Sequence, residues 1–248
     1  MSRAVVIGTS SGVGRAVCRS LAAAGWSLVI VSRDVRDLEA TAADLRWRFG
    51  IDCQHVAADI SAPDWNVESF AASCFAGGSA IDALLVPAGG ARDDDEGANS
   101  AVIDSVVATN FGGPAKLAAA FGKQMQAQRR GHIVLFSSIA AVVPRARNLA
   151  YSAAKAALET YARGLRHALS RHGISVSVLA PGYVDTPQAF GLKLLFPVSS
   201  PESVAARVRA LLEAKPSDGT SSYFPRFWSL VTLVLRALPW PLYKRLQF

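Results

Sequence analysis

Tyr151 and Lys155 stand four residues apart in Tyr151-Ser152-Ala153-Ala154-Lys155, within a segment whose apolar residues recur with helical period. On a helix that spacing places both side chains on one face. A phenol with a pKa of about 10 carries protons poorly at neutral pH, and an ammonium one turn away stabilises phenolate and draws that value down. The pair is therefore a candidate general acid/base of the kind that carbonyl reduction or alcohol oxidation needs. Ser138 follows the strand-like run 132–136, at the carboxyl end where open α/β sheets bind ligands. Its hydroxyl can hydrogen-bond a reacting oxygen, although Ser137 and Ser138 taken alone read equally well as loop caps.

A second site type lies near the start. Gly8-Thr9-Ser10-Ser11-Gly12-Val13-Gly14 separates an apolar strand from a helix-period segment. Small residues let the backbone approach a pyrophosphate, and a helix N-terminus offers it free N–H groups and partial positive charge. The end of the second strand should read the adenosine ribose. There an acid selects the 2′-hydroxyl of NAD(H), and an arginine favours the 2′-phosphate of NADP(H). The chain has Val31-Ser32-Arg33-Asp34, with Ser32 nearest the ribose, Arg33 beside it and Arg15 in reach from the first helix. This favours NADP(H) over NAD(H). The rival readings are that Asp34 swings in, or that Arg33 merely faces solvent.

The elements that must position these residues follow from pattern. Apolar runs at 4–7, 27–31, 52–57, 83–86, 132–136 and 175–179 are short, rich in Val, Ile and Leu, and mostly not alternating, as expected of parallel strands covered on both faces. Helical segments at 12–24, 35–49, 101–127 and 149–171 separate them, so the chain reads as an α/β, Rossmann-like, doubly wound parallel sheet flanked by helices. A further helix at 202–214 and a last strand at 221–224, after a turn at 216–219, complete it. No linker or repeat divides residues 1–248, which predicts a single catalytic domain.

Hydrophobic residues at 51% argue for a dense interior, and the net charge of +7 is scattered rather than gathered in a stripe, which argues against a nucleic-acid partner. Cys18, Cys53 and Cys74 lack metal-ligand spacing, so no metal site is expected and all three read as small buried hydrophobes in a reducing compartment. The N-terminus enters its first strand without a signal-peptide pattern, which predicts a cytoplasmic protein.

Taken together these residues resemble the short-chain dehydrogenase/reductase family over nearly the whole chain. The glycine turn, Asp59-Ile60, Ala88-Gly89, Asn110, Ser138, Tyr151 with Lys155, and Pro181-Gly182-Tyr183-Val184-Asp185-Thr186 occur in the family's order and at family-like separations. The resemblance implies that Tyr151 exchanges the proton, Lys155 lowers its pKa and holds the nicotinamide ribose, Ser138 orients the substrate oxygen and Asn110 continues a proton relay. It also implies that Asp59 meets the adenine and that Val184 and Thr186 contact the nicotinamide amide. Homo-oligomers are usual in the family. Two departures touch scaffolding: Ile7 replaces the usual threonine before Gly8, and Val86-Pro87 stands where an asparagine usually precedes Ala88-Gly89.

The substrate side is less regular. Segment 188–198, with Phe190, Leu192, Leu194, Leu195 and Phe196, falls where the family places its substrate lid, and apolar lining points to a hydrophobic substrate or to ordinary core. In the acid-free tail 223–248, Phe227, Leu230, Val231, Val234, Leu235 and Leu238 follow helical spacing. Trp228 and Leu233 widen that surface and leave Ser229, Thr232 and Arg236 as a narrow polar strip. Such a helix needs cover, from a subunit contact or from the inner face of a membrane, where Trp240, Tyr243, Lys244 and Arg245 would suit the headgroups. The tail, with Arg145 and Arg147 before Tyr151, is similar to the subgroup of polyprenyl-phosphoryl (decaprenyl-phosphoryl) keto-pentose reductases. That implies a lipid-linked carbonyl or alcohol substrate whose phosphate an arginine pair would hold. The leading reading is an NADP(H)-dependent carbonyl reductase, and the alternative is a catalytically silent NADP(H)-binding regulatory protein.

Overall fold

The Val/Ile/Leu runs form the strands of one seven-stranded parallel sheet in the order β3-β2-β1-β4-β5-β6-β7. The strands are β1 (Arg3–Ile7), β2 (Ser27–Ser32), β3 (Cys53–Ala57), β4 (Ala83–Val86), β5 (Gly131–Phe136), β6 (Ile174–Pro181) and β7 (Ser221–Phe224). The computed structural model describes residues 2–94, 97–187, 189, 196–214 and 219–244. Every strand expected from the sequence is present, with ends shifted by a residue or so.

The central strands bury both faces. Val5 and Ile7 point into a layer with Phe121 and Leu158, and Ala4 and Val6 into a second layer with Leu38 and Val204. Helices α1 (Gly12–Ala23), α2 (Val35–Phe49) and α7 (Pro201–Glu213) cover one face. The other is covered by α3 (Val67–Cys74), α5 (Gly113–Gln128) and α6 (Leu149–Ser170), with α4 (Ser100–Val107) leading into α5. Strand order reverses at β1, which pairs in parallel with β2 on one side and with β4 on the other, so the loops leaving β1 and β4 diverge and open a crevice above their carboxyl ends.

Three local features differ from the pattern. The continuous helix expected over 101–127 is interrupted by a π turn at Ala108–Gly112. There the Asn110 amide donates to Val106 O at 2.9 Å, and Pro114 enters α5 without an N–H. Helix α3, capped by Asn66, was not singled out by periodicity. The third feature is the tail, which folds as α8 (Trp228–Ala237) and α9 (Trp240–Tyr243). Trp228 and Thr232 are its buried residues, while Leu230 and Leu233 are 67% and 65% exposed. Thr232 thus belongs to the inner side, not to a solvent strip, because the indole one turn earlier anchors the helix and sets its rotation. The cysteines lie buried on α1, β3 and α3, and burial pushes Cys53 and Cys74 up to about 11 and Cys18 further still. Among the described residues no helix is long and apolar enough to cross a membrane.

Candidate active site

The glycine turn forms the first wall of the crevice. Gly8 has φ +93°, and a Cβ there would lie 2.6 Å from Ala88 Cα, so the two loops approach only because the side chain is missing. A Cβ on Gly14 would collide with Gly8 O. Ser11 caps α1 by accepting from Gly14 N at 3.0 Å and donates to Gly8 O at 2.9 Å. That hydroxyl ties the turn together from within, which explains how Ile7 can replace a threonine there.

Above the turn runs a groove of about 300 Å³ lined by Gly8, Ser10 and Ser11 on one side and by Ala88 and Gly89 on the other. Ser32, Arg33, Asp59 and Ile60 close its far end. The Ser32 hydroxyl is buried with no hydrogen-bond partner among the described residues. Arg33 stands 4.0 Å from Asp59, whose carboxyl is held below its ordinary range chiefly by the Ser61 hydroxyl, with the Ser61 N–H and Arg33 assisting against desolvation. Asp34 points elsewhere, because its carboxylate caps α2 through Arg36 N and Asp37 N. Arg15 is also engaged, in a 2.7 Å pair with Asp37.

The groove continues into a cavity of about 910 Å³, which shares Ser10, Ser11 and Gly89 with it and adds Gly12 and Val13. Ser138, Tyr151 and Lys155 converge on this cavity, with Pro181, Gly182, Val184 and Thr186 opposite. The Ser138 hydroxyl neighbours the Tyr151 phenol, whose pKa it lowers, and accepts from Ala140 N at 3.2 Å. Lys155, only 3% exposed, donates from Nζ to Phe136 O at 2.8 Å and lies 5.7 Å from the Tyr151 ring centroid. Burial pushes the ammonium down to about 8. Burial also pushes the phenol up, and the Ser138 hydroxyl and the Arg145 guanidinium pull it back. Lys155 Nζ is thus turned towards a backbone carbonyl, and Arg145 is a second cation that draws the phenol down.

Asn110 is completely buried. Its Oδ1 accepts from Gly90 N and its Nδ2 donates to Gly90 O, both at 3.0 Å, so the side chain pegs the loop after Pro87 in place. A Cβ on Gly89 would lie 2.5 Å from Asn110 Oδ1 and 3.0 Å from Lys155 Nζ, so this glycine is also required by crowding. The arginine pair divides. Arg145 donates to Tyr183 Oη at 2.9 Å, with its guanidinium 5.3 Å from that ring, while Arg147 pairs with Asp93 at 2.8 Å. Both line the cavity. Phe190 and Leu192, Leu194 and Leu195 lie outside the described residues.

The cavity's outer wall comes from Phe196, in the segment expected to cover the substrate, and from Trp228 and Leu235, which the motifs did not join to the site. The Trp228 indole packs so closely over Gly182 that a Cβ there would collide with it, and Tyr183 meets the indole edge-on at 5.6 Å. Tyr243 Oη donates to Pro144 O at 3.1 Å, so the tail reaches from β7 across to the loop before α6. The helical spacing of 223–248 announced a helix, but nothing in it announced which side faces the site.

The model of the short chain dehydrogenase family matches residues 2–192. An uncharacterised oxidoreductase of Streptomyces coelicolor is 32% identical over 248 residues, covering 98% of this chain and 94% of that protein. The short-chain reductase protein NovJ of Streptomyces niveus is 34% identical, covering 75% and 70%. Among solved structures, a metagenomic short-chain oxidoreductase in complex with NADP is 29% identical with a TM-score of 0.76, covering 90% of this chain and 95% of that one. L-sorbose reductase from Gluconobacter frateurii, complexed with NADPH and L-sorbose, shares the fold at a TM-score of 0.81 and 23% identity, covering 91% and 95%.

Proposed function

The chain belongs to the short-chain dehydrogenase/reductase family of oxidoreductases, and from that premise we propose that it interconverts a carbonyl and an alcohol with NADP(H) through Ser138, Tyr151 and Lys155. The observation that carries this reading is the convergence of Ser138, Tyr151 and Lys155 on the wall of a cavity continuous with a glycine-floored groove. The groove suits a dinucleotide: the missing side chains of Gly8 and Gly89 leave backbone exposed to a pyrophosphate, and α1 presents its N-terminus. At the far end Arg33 and the Ser32 hydroxyl, which has no partner among the described residues, suit a 2′-phosphate, whereas Asp34, spent as a cap, is not free for a 2′-hydroxyl. The NADP and NADPH bound by structural relatives support the same choice.

Bound there, the reduced nicotinamide supplies the hydride. Ser138 holds the substrate oxygen and Tyr151 delivers the phenolic proton to it as charge develops, with Arg145 easing the loss of that proton. Lys155, still cationic below about pH 8, holds the ribose and replenishes the proton. The relay that the resemblance assigns to Asn110 would run through its backbone, since both ends of its side chain are engaged. Val184 and Thr186, which line the cavity, would hold the carboxamide.

The cavity's Phe196, Trp228 and Leu235 wall suits a hydrophobic carbonyl compound, and Arg145 suits an anionic group on it, such as the phosphate of a polyprenyl-phosphoryl keto-sugar. The outer side of α8 bears exposed Leu230, Leu233 and Val234 next to Arg226 and Arg236, a composition that fits the surface of an anionic membrane holding such a substrate.

Tyr151→Phe tests the assignment. NADPH affinity, read by cofactor fluorescence, should stay within about twofold, while carbonyl-dependent NADPH oxidation falls about a thousandfold. Turnover that survives the substitution overturns the role of Tyr151. A wild-type protein that binds NADPH yet turns over no member of a carbonyl panel, with or without lipid, would favour the silent regulator.

A further inference from the structure

Asp94 lies in the loop between β4 and α4, outside every motif of the site, and its side chain is completely buried. Its Oδ2 accepts from Ala150 N at 2.6 Å, and its own N–H donates to Arg147 O at 3.0 Å. Next to it, Asp93 receives Arg147 Nε and Nη2 at 3.1 and 2.8 Å. Helix α6 gains no side-chain cap from its own Asn148. The cap comes instead from a carboxylate 56 residues earlier in the chain, where its negative charge also meets the positive end of the helix dipole.

The origin of the cap matters. A cap from Asn148 would tie α6 only to the loop that precedes it. Asp94 ties α6 to the segment that begins at Ala88–Gly90, the wall of the cofactor groove, which Asn110 pegs at its other end. The segment is therefore a brace, with one end on the groove and the other on the residue before Tyr151. Asp94 Oδ1 is buried without a partner among the described residues, an unfavourable arrangement that a merely solvated acidic loop would not contain.

We propose that Asp94 is a positioning residue for Tyr151: it sets the first turn of α6 against the cofactor groove, so that the phenol stands at the right distance from the bound dinucleotide. This rests on the role given to Tyr151 above. Displacing a reacting group by about 1 Å costs on the order of a hundredfold in rate, so a lost brace acts on the chemical step more than on binding.

The experiment compares Asp94→Ala, Asp94→Ser and Asp94→Asn by steady-state kinetics on the full chain with NADPH and a carbonyl that the wild type reduces, beside Tyr151→Phe. Serine stays polar but falls short of Ala150 N, which covers the case in which alanine does not fold; asparagine keeps an acceptor in place. The expected result is a kcat lowered about tenfold or more in the alanine or serine variant, with NADPH affinity within about twofold of wild type, and recovery to within about threefold in Asp94→Asn. Wild-type kcat per folded molecule in the alanine or serine variant, or an Asp94→Asn variant as impaired as these, overturns the proposal. If Tyr151→Phe is inert while Asp94→Ala or Asp94→Ser is fully active, the brace alone fails; if Tyr151→Phe is fully active, the reading of Tyr151 fails whatever Asp94 does.

Discussion

Helices α6 and α8 both carry apolar residues at helical spacing, yet they break the inside–outside rule in opposite directions. The buried side of α6 presents Ala150, Ala154, Leu158 and Ala162 to the sheet, and among them a lysine that is 3% exposed. The open side of α8 presents Leu230, Leu233 and Val234 to solvent, while a threonine is buried. Interior charge and exposed leucine each oppose the hydrophobic effect, by a few kcal/mol for the charge and about 1.5–3 kcal/mol for each aliphatic side chain left uncovered. Both helices line the same cavity, α6 through Tyr151 and Lys155 and α8 through Trp228 and Leu235. Residues that stability alone would not place where they are suit the reading proposed above, in which α6 meets a cofactor and substrate and α8 an external surface.

The strongest way to break this contrast is to remove the charge from α6. A pKa depressed from 10.5 to about 8 means that the folded state holds the ammonium less readily than the unfolded chain, by about 3 kcal/mol at neutral pH. For this group stability rises with pH between about 8 and 10.5, and the whole penalty is present below 8. Lys155→Met keeps the stem and discards the charge. It should lower kcat/KM by about 10²–10⁴-fold and raise unfolding stability by about 1–3 kcal/mol, as read by denaturant titration at pH 7. In the wild type the reductive rate should fall on an alkaline limb near pH 8 as the ammonium is lost. A variant both inactive and less stable would show that Lys155 contributes to the fold, and the parallel with α8 would fail.

A smaller effect should come from the outer side of α8. Replacing Leu230, Leu233 and Val234 together by serine should leave the unfolding free energy within about 1 kcal/mol, since those side chains are already wet. Co-sedimentation with phosphatidylglycerol vesicles should weaken at least about tenfold, and wild-type binding should itself decline with salt as Arg226 and Arg236 are screened. If wild-type protein ignores vesicles and the triple variant instead converts a dimer to a monomer in sedimentation equilibrium, the covering surface is a second copy of this chain.

The same two helices show what a sequence discloses. The strands were legible because residues such as Val5, Ile30 and Leu84 are buried on both sides and so form uninterrupted apolar runs. Gly8-to-Gly14, Tyr151 and Lys155 were legible because their chemistry depends on local spacing. What stayed hidden depends on distant atoms. Lys155 turns to Phe136 O because β5 ends beneath it, and nothing in the Tyr-Ser-Ala-Ala-Lys stretch records that. Asp94 sits among consecutive acids that pattern reads as solvated, and only the fold brings Ala150 N to it. Arg145 and Arg147 read as a pair from spacing, but Tyr183 and Asp93 claim them separately. On α8 seven of the ten positions are apolar and spread around the helix, so periodicity could not choose which side is buried, and Trp228 over Gly182 decides it.

The smallest effect tests that last decision. Thr232 is 2% exposed, and its hydroxyl donates to Trp228 O at 2.8 Å, a helix carbonyl one turn back. Such a bond satisfies the hydroxyl without adding much net stability, since a typical net contribution is about 1 kcal/mol and the methyl that would replace the hydroxyl gains buried apolar contact. Thr232→Val should therefore hold or raise the melting free energy by no more than about 1 kcal/mol. On the open side of the same turn Ser229→Val has no interior to fill, so it should leave stability unchanged while lowering solubility. If valine at 229 stabilised the protein and valine at 232 lowered its solubility, α8 would be rotated by about a sixth of a turn, Leu233 would swing towards the interior, and the contrast with α6 would weaken.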